Sequence, residues 1–427
     1  MKRDLFQLKE HNTTVRQELT AGLTGFLTIV YIIAVNAIIL SEAGMPLEGA
    51  MLGTILTSFF GCLVMGLWAN APILVVPGMG INAMFTYTLV QSMGLSWQDA
   101  LGVTVIAGFI FTIISFTRLT KVINDAIPGT LKEAITIGIG LFLILIGLEN
   151  GQLIERGDQS IVALGDINKP EVLATILTLV FALILFIRNV KGHFLWTILF
   201  GAGIAYLFGI LPSGANSTLS FESYREVFAS FSLENWVTLP FLIAIFSITM
   251  VVVFENLGLV DGFVKFAKRP EKFKKAFQAT GISVFLSGIF GSSPTVATAE
   301  TTAAITAGGR TGLTTITSGL LFLVVILFIP YVNMIPANAI APVLIIVGGL
   351  MVQNIRNLDF RDLTEAFPAI FIITMIPFTY SIADGIAIGF IMYVVLRLAT
   401  GKVKKVSLPL FIIASLFLLN YIVQFIS

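Results

Sequence analysis

The chain has 427 residues, of which 56% are hydrophobic and 11% are charged, whereas about a quarter of an ordinary soluble domain is charged. This composition excludes a water-soluble globule and indicates a polytopic α-helical membrane protein, whose backbone polar groups are satisfied within each helix. A β-barrel is excluded because the alternating segments of roughly ten residues that it requires are missing. The 25 Lys and Arg against 24 Asp and Glu give a formal net charge of +1, which leaves no basic face for a nucleic acid.

The sequence contains few residues that could hold a metal ion or form a disulfide. Cys62 is the single cysteine, and His11 and His193 are the only histidines. An intramolecular disulfide, a cysteine-built metal site and a histidine cluster are therefore excluded, and we expect no cofactor. The first apolar run, residues 22–40, has no small-residue cleavage site after it, so we interpret it as a transmembrane helix rather than a signal peptide.

Apolar runs near the length that crosses a bilayer, about 17 to 25 residues, recur along the chain, although some are short or interrupted. The first half contains seven, at residues 22–40, 50–68, 73–93, 100–116, 134–148, 173–187 and 194–211. The second half contains seven more, at residues 239–260, 277–290, 292–307, 314–329, 335–352, 367–380 and 383–396. The sequence thus predicts fourteen core spans, and the apolar tail at residues 408–425 is either an extra crossing or an interfacial segment.

The cations predict the orientation of the chain, because Lys and Arg near span ends stay in the cytoplasm. Cations in the amino terminus and after even-numbered spans fall on one side: Lys2, Arg3, Lys9, Arg16, Arg118, Lys121, Lys132, Arg188, Lys191, Lys265, Lys268, Arg269, Lys272, Lys274 and Lys275. The opposite connections hold chiefly Arg156, Lys169 and Arg225. We therefore expect a cytoplasmic amino terminus. A break at Ser381 also places Arg397, Lys402, Lys404 and Lys405 inside.

Backbone breakers interrupt the third span of each half. Pro77, Gly78, Met79 and Gly80 interrupt the first, and Gly291, Ser292, Ser293 and Pro294 interrupt the second, about 217 residues later. An odd number of spans separates the two halves, so the second half should be inverted relative to the first. Paired broken helices in inverted halves indicate a midplane substrate site of a secondary transporter.

Two carboxylates lie in apolar surroundings that lipid should not tolerate. Glu255 follows seven residues of which six are apolar, and Glu300 lies six residues after Pro294. Such residues usually face a cavity and carry function, with a structural carboxyl as the lesser alternative. Asp384, at a span start just after Ser381, is more simply a helix cap. A carboxylate can accept two parallel N–H donors, which favours a neutral, flat, amide-bearing substrate over an anion.

Four stretches stand out as a set: residues 18–28 (ELTAGLTGFLT), 77–85 (PGMGINAMF), 308–312 (GGRTG) and 377–383 (PFTYSIA). Together they resemble the AzgA-like guanine/hypoxanthine/adenine permease branch of the nucleobase/ascorbate transporter superfamily, over essentially the whole core. The resemblance implies an all-α fold of seven plus seven inverted spans, with a core domain and a gate domain. It also implies proton-coupled uptake across the bacterial plasma membrane, and commonly a homodimer.

The resemblance also implies roles for individual residues. Glu255 matches the acid of the eighth span and Glu300 the acid of the tenth. Backbone contacts to the purine would come from Asn82, Ala83 and Met84 and from Thr298 and Ala299, while Phe85 and Phe254 could stack on it or simply pack. The sequence departs from the branch where Glu255 and Asn256 replace Asp and Thr, and where Pro294 intrudes and Thr301 follows the acid. Leu259 stands where uracil transporters place a histidine.

We expect three regions: a first repeat (1–212), a second repeat (213–397), and a basic linker with the apolar tail (398–427). The core domain would comprise spans 1–4 and 8–11, and the gate domain spans 5–7 and 12–14. The predicted function is purine uptake by proton symport, guanine or hypoxanthine first, with Glu255 and Glu300 binding the N–H edge and one of them carrying the proton. The alternative, an anion exchanger of the same fold, predicts neutral or cationic groups at both positions. An enzyme is disfavoured, because the spans contain no catalytic set.

Overall fold

The computed structural model describes residues 6–120, 127–157, 160, 162–211, 221–332, 334–402 and 406–426. The expected boundary between residues 212 and 213 and the cations Lys2, Arg3, Lys121, Lys404 and Lys405 lie outside these residues. Most of the described chain is helical, as the composition predicts.

The first half is built from eight helices and three short strands. In chain order these are α1 (Val15–Ile29), α2 (Ile32–Glu42), α3 (Leu47–Val64), β1 (Val75–Pro77), α4 (Met79–Ala83), α5 (Trp97–Phe116), α6 (Gly129–Asn150), β2 (Ile154–Glu155), β3 (Ala163–Leu164), α7 (Pro170–Ile187) and α8 (His193–Leu207). Wider π-helical turns extend α3 through Met65–Ala69 and α4 through Met84–Ser92.

The second half contains ten helices and one strand. These are α9 (Phe221–Val227), α10 (Leu239–Phe266), α11 (Phe273–Ile289), β4 (Thr295–Ala297), α12 (Thr301–Thr306), α13 (Gly312–Val324), α14 (Ile329–Val332), α15 (Ala337–Val352), α16 (Leu363–Thr379), α17 (Ile382–Ala399) and α18 (Leu408–Ile426). Short 3₁₀ turns occupy Pro270–Lys272, Val325–Phe328 and Gln353–Asn357.

Nine helical segments of the described residues are long and apolar enough to cross a membrane. Three shorter apolar helices accompany them, at His193–Leu207, Leu363–Thr379 and Leu408–Leu419. The chain is therefore a multi-pass membrane protein, whereas the count of fourteen spans stays a prediction.

The first predicted span is present as one apolar helical segment, Val15–Glu42, and it carries a local irregularity that the sequence interpretation did not include. Helix α1 ends at Ile29 and α2 begins at Ile32, with Val30 and Tyr31 between them. At this junction the Ile33 N–H bonds to the Val30 carbonyl, a shift from the regular helical pattern. Neither proline nor glycine marks the junction, so the sequence carries no signal for it.

The two predicted backbone breaks pair with each other in the interior. Strand β1 runs antiparallel to β4, with Val75 opposite Ala297 and Pro77 opposite Thr295. The pairing satisfies backbone groups that would otherwise be unbonded inside the membrane. Gly291, at the turn before β4, has a φ of +76°, and an added Cβ there would lie 2.2 Å from a Val227 methyl. Only glycine fits this turn.

The description "all-α" is wrong in detail, because the fold is mostly helical with two short strand pairs. Besides β1 and β4, strands β2 and β3 pair antiparallel in the connection after α6. Each pair is only two or three residues long. They occur where extended backbone must find hydrogen-bond partners outside a helix.

The long helices pack into two groups. In one group, α3 contacts α2, α11 and α13, and α13 also contacts α1. In the same group, α5 contacts α10 and α11. In the other, α6 packs against α15 and α16, α7 and α8 pack against each other and α15, and α17 packs against α16 and α18. The strand pair β1 and β4 lies within the first group, against α3, α10 and α11.

Candidate functional site

A cavity of about 1330 Å³ lies beside the paired breaks. Its wall includes Pro77 and Gly80 from the first break and residues 296–300, which follow the second. Helix α10 contributes Phe254 and Glu255, and helix α6 faces them with Lys132 and Ile139. The cavity therefore lies between the two packing groups, with both buried-span glutamates in its wall.

Glu300 lies six residues after the second break and immediately precedes α12. Its carboxylate Oε1 accepts a hydrogen bond of 2.6 Å from the hydroxyl of Tyr31. Tyr31 sits at the junction of α1 and α2, is 3% exposed, and contacts the ring of Phe194 edge-on at 4.8 Å. The irregular first span therefore places a hydroxyl donor directly on the acid.

Glu255 lies on α10 and lines the same cavity as Tyr31. Among the described residues no hydrogen bond or ion pair to its carboxylate occurs. Both oxygens are thus open to a molecule entering the cavity. A half-buried carboxylate in this setting is costly unless it serves a ligand or a proton.

Two buried asparagines hold the second break and the strand that follows it through hydrogen bonds. The amide nitrogen of Asn36 donates to Thr54 at 2.8 Å and to Ser292 at 3.1 Å, and its oxygen accepts from Ser293 at 2.9 Å. The oxygen of Asn256 accepts from the Ala297 N–H at 3.0 Å. These bonds fix the backbone that carries Glu300, and they come from α2 and α10.

The structure brings together five of the nine site residues expected from sequence. Glu255, Glu300, Phe254, Thr298 and Ala299 all line the cavity. The other four do not line it: Asn82, Ala83, Met84 and Phe85 are completely buried behind its wall. Neither polar atom of the Asn82 carboxamide has a hydrogen-bond partner among the described residues, so its pairing capacity is unused in this conformation.

Tyr31, Asn36 and Asn256 were not assigned as site residues from sequence. Asn36 and Asn256 carried a faint signal, because residues 26–36 and 246–256 lie 220 positions apart and share two identities, the Phe that begins each stretch and the Asn that ends it. Tyr31 carried none, since a tyrosine in an apolar run is ordinary. Asp384 is a correction: the helix cap is Ser381, whose hydroxyl accepts from the Asp384 N–H at 3.2 Å, while the Asp384 carboxylate accepts from Tyr421.

Two of the four sequence signatures, residues 18–28 and 308–312, contact each other outside the cavity. The fully buried Glu18 carboxylate accepts hydrogen bonds from the Arg310 N–H at 3.0 Å, the Thr311 N–H at 3.1 Å and the Thr314 hydroxyl at 2.6 Å. It thereby satisfies the two N–H groups just ahead of α13, while the Gly312 N–H at the helix start bonds to Asn70. The motif around Gly308 to Gly312 is thus explained by folding.

The described part of the chain contains no group of three or more His, Cys, Asp or Glu that could hold a metal ion. The carboxylates of the cavity wall can accept hydrogen bonds from N–H donors. A helical membrane fold with such an interior cavity defines the class of protein as a membrane transporter.

Comparisons with known proteins agree with this class. Residues 16–388 match the permease family. The nucleobase transporter PlAzg2 of Paenibacillus larvae is 49% identical over 88% of this chain and 76% of its own length. The guanine/hypoxanthine permease PbuO of Bacillus subtilis is 35% identical over 97% of this chain and 99% of its own. The adenine permease AdeP of Escherichia coli is 36% identical over 98% and 95%.

The chain belongs to the permease family, and the resemblance recognised from its four motifs is confirmed. It is a transporter and not an enzyme. Among solved structures, the transmembrane domain of the cyanobacterial bicarbonate transporter BicA matches with a TM-score of 0.65 and 18% identity, over 86% of this chain and 96% of that one. Murine Slc26a9, an anion transporter, matches with a TM-score of 0.67 and 14% identity, over 90% and 68%. These likenesses establish a shared fold.

Proposed function

We propose that this protein imports a purine nucleobase, guanine or hypoxanthine first, by proton symport and alternating access. The observation that carries the proposal is the placement of Glu255 and Glu300 in the wall of one cavity, beside the paired breaks. Three relatives of at least 35% identity are named for nucleobase, guanine/hypoxanthine or adenine transport, which supports a purine.

The donors and acceptors of the cavity suit a flat base. Purine ring edges present N–H donors, and two carboxylates can accept them, while Phe254 offers a ring face for stacking. The cavity volume is above the roughly 300 to 1,000 Å³ of typical small-molecule sites, which leaves room for an access path as well as a base.

The anion exchanger is the second candidate, because the bicarbonate and Slc26a9 structures share the fold. Two carboxylates in the wall would repel an anion, and no compensating cation is bonded to Glu255 or Glu300 among the described residues. We therefore favour the neutral base.

One of the two glutamates carries the coupled proton in this proposal. Among the described residues no histidine lines the cavity, so we assign the proton to its carboxyl groups. Tyr31 would steady Glu300 through its hydrogen bond. A proton that falls through about 100 mV releases about 2.3 kcal/mol, which is enough to concentrate a base.

The architecture that we propose is a 7+7 inverted repeat of fourteen core spans in the bacterial plasma membrane, with a cytoplasmic amino terminus. The antiparallel pairing of the two breaks and the two packing groups support a core domain and a gate domain. The cavity reaches the exposed side chains of Arg118 and Lys274, which the cation rule assigns to the cytoplasm. The conformation would then be open to the inside. A homodimer is part of the same proposal.

Uptake into vesicles containing the purified protein tests the function. We expect radiolabelled hypoxanthine to accumulate when the vesicle interior is alkaline, and expect unlabelled guanine, but not uracil, sulfate or bicarbonate, to compete. Accumulation that does not depend on the pH gradient would contradict proton coupling. Competition by sulfate or bicarbonate without competition by any purine would show that the substrate is an anion and not a purine.

A further inference from the structure

One cation–ring contact crosses the cavity. The ammonium of Lys132 lies 5.0 Å from the ring centroid of Phe254, within the range of a cation–π interaction. Both side chains line the cavity, and Phe254 directly precedes Glu255 on α10. Lys132 lies near the start of α6, so the contact joins two helices that are far apart in sequence.

These two helices belong to different packing groups. Helix α6 packs on α15 and α16, whereas α10 packs on α5 and α11. The other cation–ring pair of the described residues, Arg397 with Tyr393, lies within the single helix α17. In a carrier whose two groups move past each other, the Lys132–Phe254 distance must change during the cycle, and the contact belongs to the conformation seen here.

The contact also uses a surface that a substrate would need. A base held by Glu255 has Phe254 as its nearest aromatic neighbour on α10, and bases bind aromatic faces by stacking. An ammonium and a base cannot occupy the same face of one ring. Lys132 and the base therefore compete for the cavity face of Phe254 whenever α6 and α10 stand as they do here.

We propose that Lys132 is a release residue, which takes the face of Phe254 as the purine leaves and lowers the affinity of the cavity for the base in this conformation. The inference rests on the proposed function and adds a positioning residue from the opposite packing group. In the conformation open to the other side, α6 is displaced from α10, so the base binds there without this competitor. The base then binds more weakly in this conformation than in the other, which speeds its release here.

The test is equilibrium binding of hypoxanthine to the purified protein by calorimetry, with the melting temperature measured in parallel. Lys132→Met keeps the apolar stem but removes the charge, so its Kd should fall roughly 2- to 30-fold, the range expected for a lost cation–π contact. Lys132→Arg keeps a cation and should stay within twofold of wild type. Lys274→Met removes a different cavity cation, which contacts no ring among the described residues, and should also leave Kd unchanged.

A double-mutant cycle supplies the decisive control. In a Phe254→Leu background the ring is gone, so Lys132→Met should no longer change Kd. Equal tightening with and without Phe254, or no tightening by Lys132→Met or Lys132→Gln, overturns the inference. A fall in melting temperature without a gain in affinity would assign Lys132 a structural role and overturn it as well. If the wild type binds no purine, the proposed function itself fails, which is a separate result.

Discussion

The Glu300 carboxylate depends on a hydroxyl that lies 269 positions away in the sequence. Glu300 was predictable, because an acid that follows a proline-containing break in an apolar span has few roles except at a site. Tyr31 was not predictable, because its role follows from the irregular junction between α1 and α2. The packing of distant helices creates that neighbourhood, and no local pattern encodes it.

Replacing Tyr31 by Phe removes the hydroxyl and keeps the ring against Phe194. We expect hypoxanthine uptake to fall about tenfold or more, since a hydrogen bond to a charged group contributes about 1.5 to 3 kcal/mol. Initial rates in vesicles, normalised to folded protein, measure the effect. Tyr206→Phe is the matched control, because that side chain is 71% exposed. Uptake by Tyr31→Phe equal to that of the control would leave Tyr31 without a role at Glu300.

Glu18 is a buried acid with a structural role. Its carboxylate accepts the open N–H groups ahead of α13 and two threonine hydroxyls. Glu18→Ala should lower stability by about 2 to 4 kcal/mol, because several donors lose a charged acceptor at once. Thermal unfolding in detergent measures this, and the exposed Glu226→Ala should change little. A melting temperature unaffected by Glu18→Ala would mean that water replaces the carboxylate.

Among the elements, the two breaks show how far a sequence pattern reaches. The Pro and Gly residues predicted where the third and tenth spans are interrupted, and the structure has a short strand next to each of these points. The sequence could not show that the strands pair with each other, since pairing depends on the packing of α3, α10 and α11 around them. The predicted interruption at Ser381 is also present, between α16 and α17.

A charged cluster joins the ends of α16 and α17. Arg397 is fully buried and pairs with Asp362 at 3.1 Å and with Glu365, while Lys402 pairs with Asp362 at 3.2 Å. Hydrogen bonds from Thr364, together with Lys402 and Arg397, hold the pKa of the Asp362 carboxyl well below its usual range. Asp362 precedes α16 and lies outside the apolar helix.

The lowered pKa of Asp362 predicts a dependence of stability on pH. The unfolded chain takes up a proton near the ordinary aspartate pKa while the folded protein does not, so this stabilisation is complete at neutral pH and declines as pH falls below about 5. Melting temperature should therefore drop more between pH 7 and pH 4 in wild type than in Asp362→Asn. Parallel curves for the two proteins would show that the cluster is not coupled to folding.

At the level of the whole molecule, the apolar tail forms one helix, α18, which packs along α17. The two helices contact each other, and the Tyr421 hydroxyl near the end of α18 reaches the Asp384 carboxylate near the start of α17 at 2.9 Å. The helices are therefore antiparallel over their length. Composition alone could not distinguish this packing from a helix lying at the membrane surface.

The antiparallel packing predicts that α18 crosses the membrane. A reporter fused to the carboxyl terminus should then lie on the opposite side from one inserted after Gly401. Alkaline phosphatase and green fluorescent protein fusions at both positions, read in intact cells, give the answer without any assumption about absolute orientation. Reporters on the same side would make α18 an interfacial helix.

The central claim is that Glu255 and Glu300 together bind one purine in the cavity. Equilibrium binding of hypoxanthine to purified wild type, Glu255→Gln, Glu300→Gln and Glu133→Gln tests it most directly, because all three acids line the same cavity. We predict measurable binding by wild type and Glu133→Gln, and a loss of at least about tenfold in affinity for each of the other two folded variants. Wild-type affinity in both Glu255→Gln and Glu300→Gln would contradict the account.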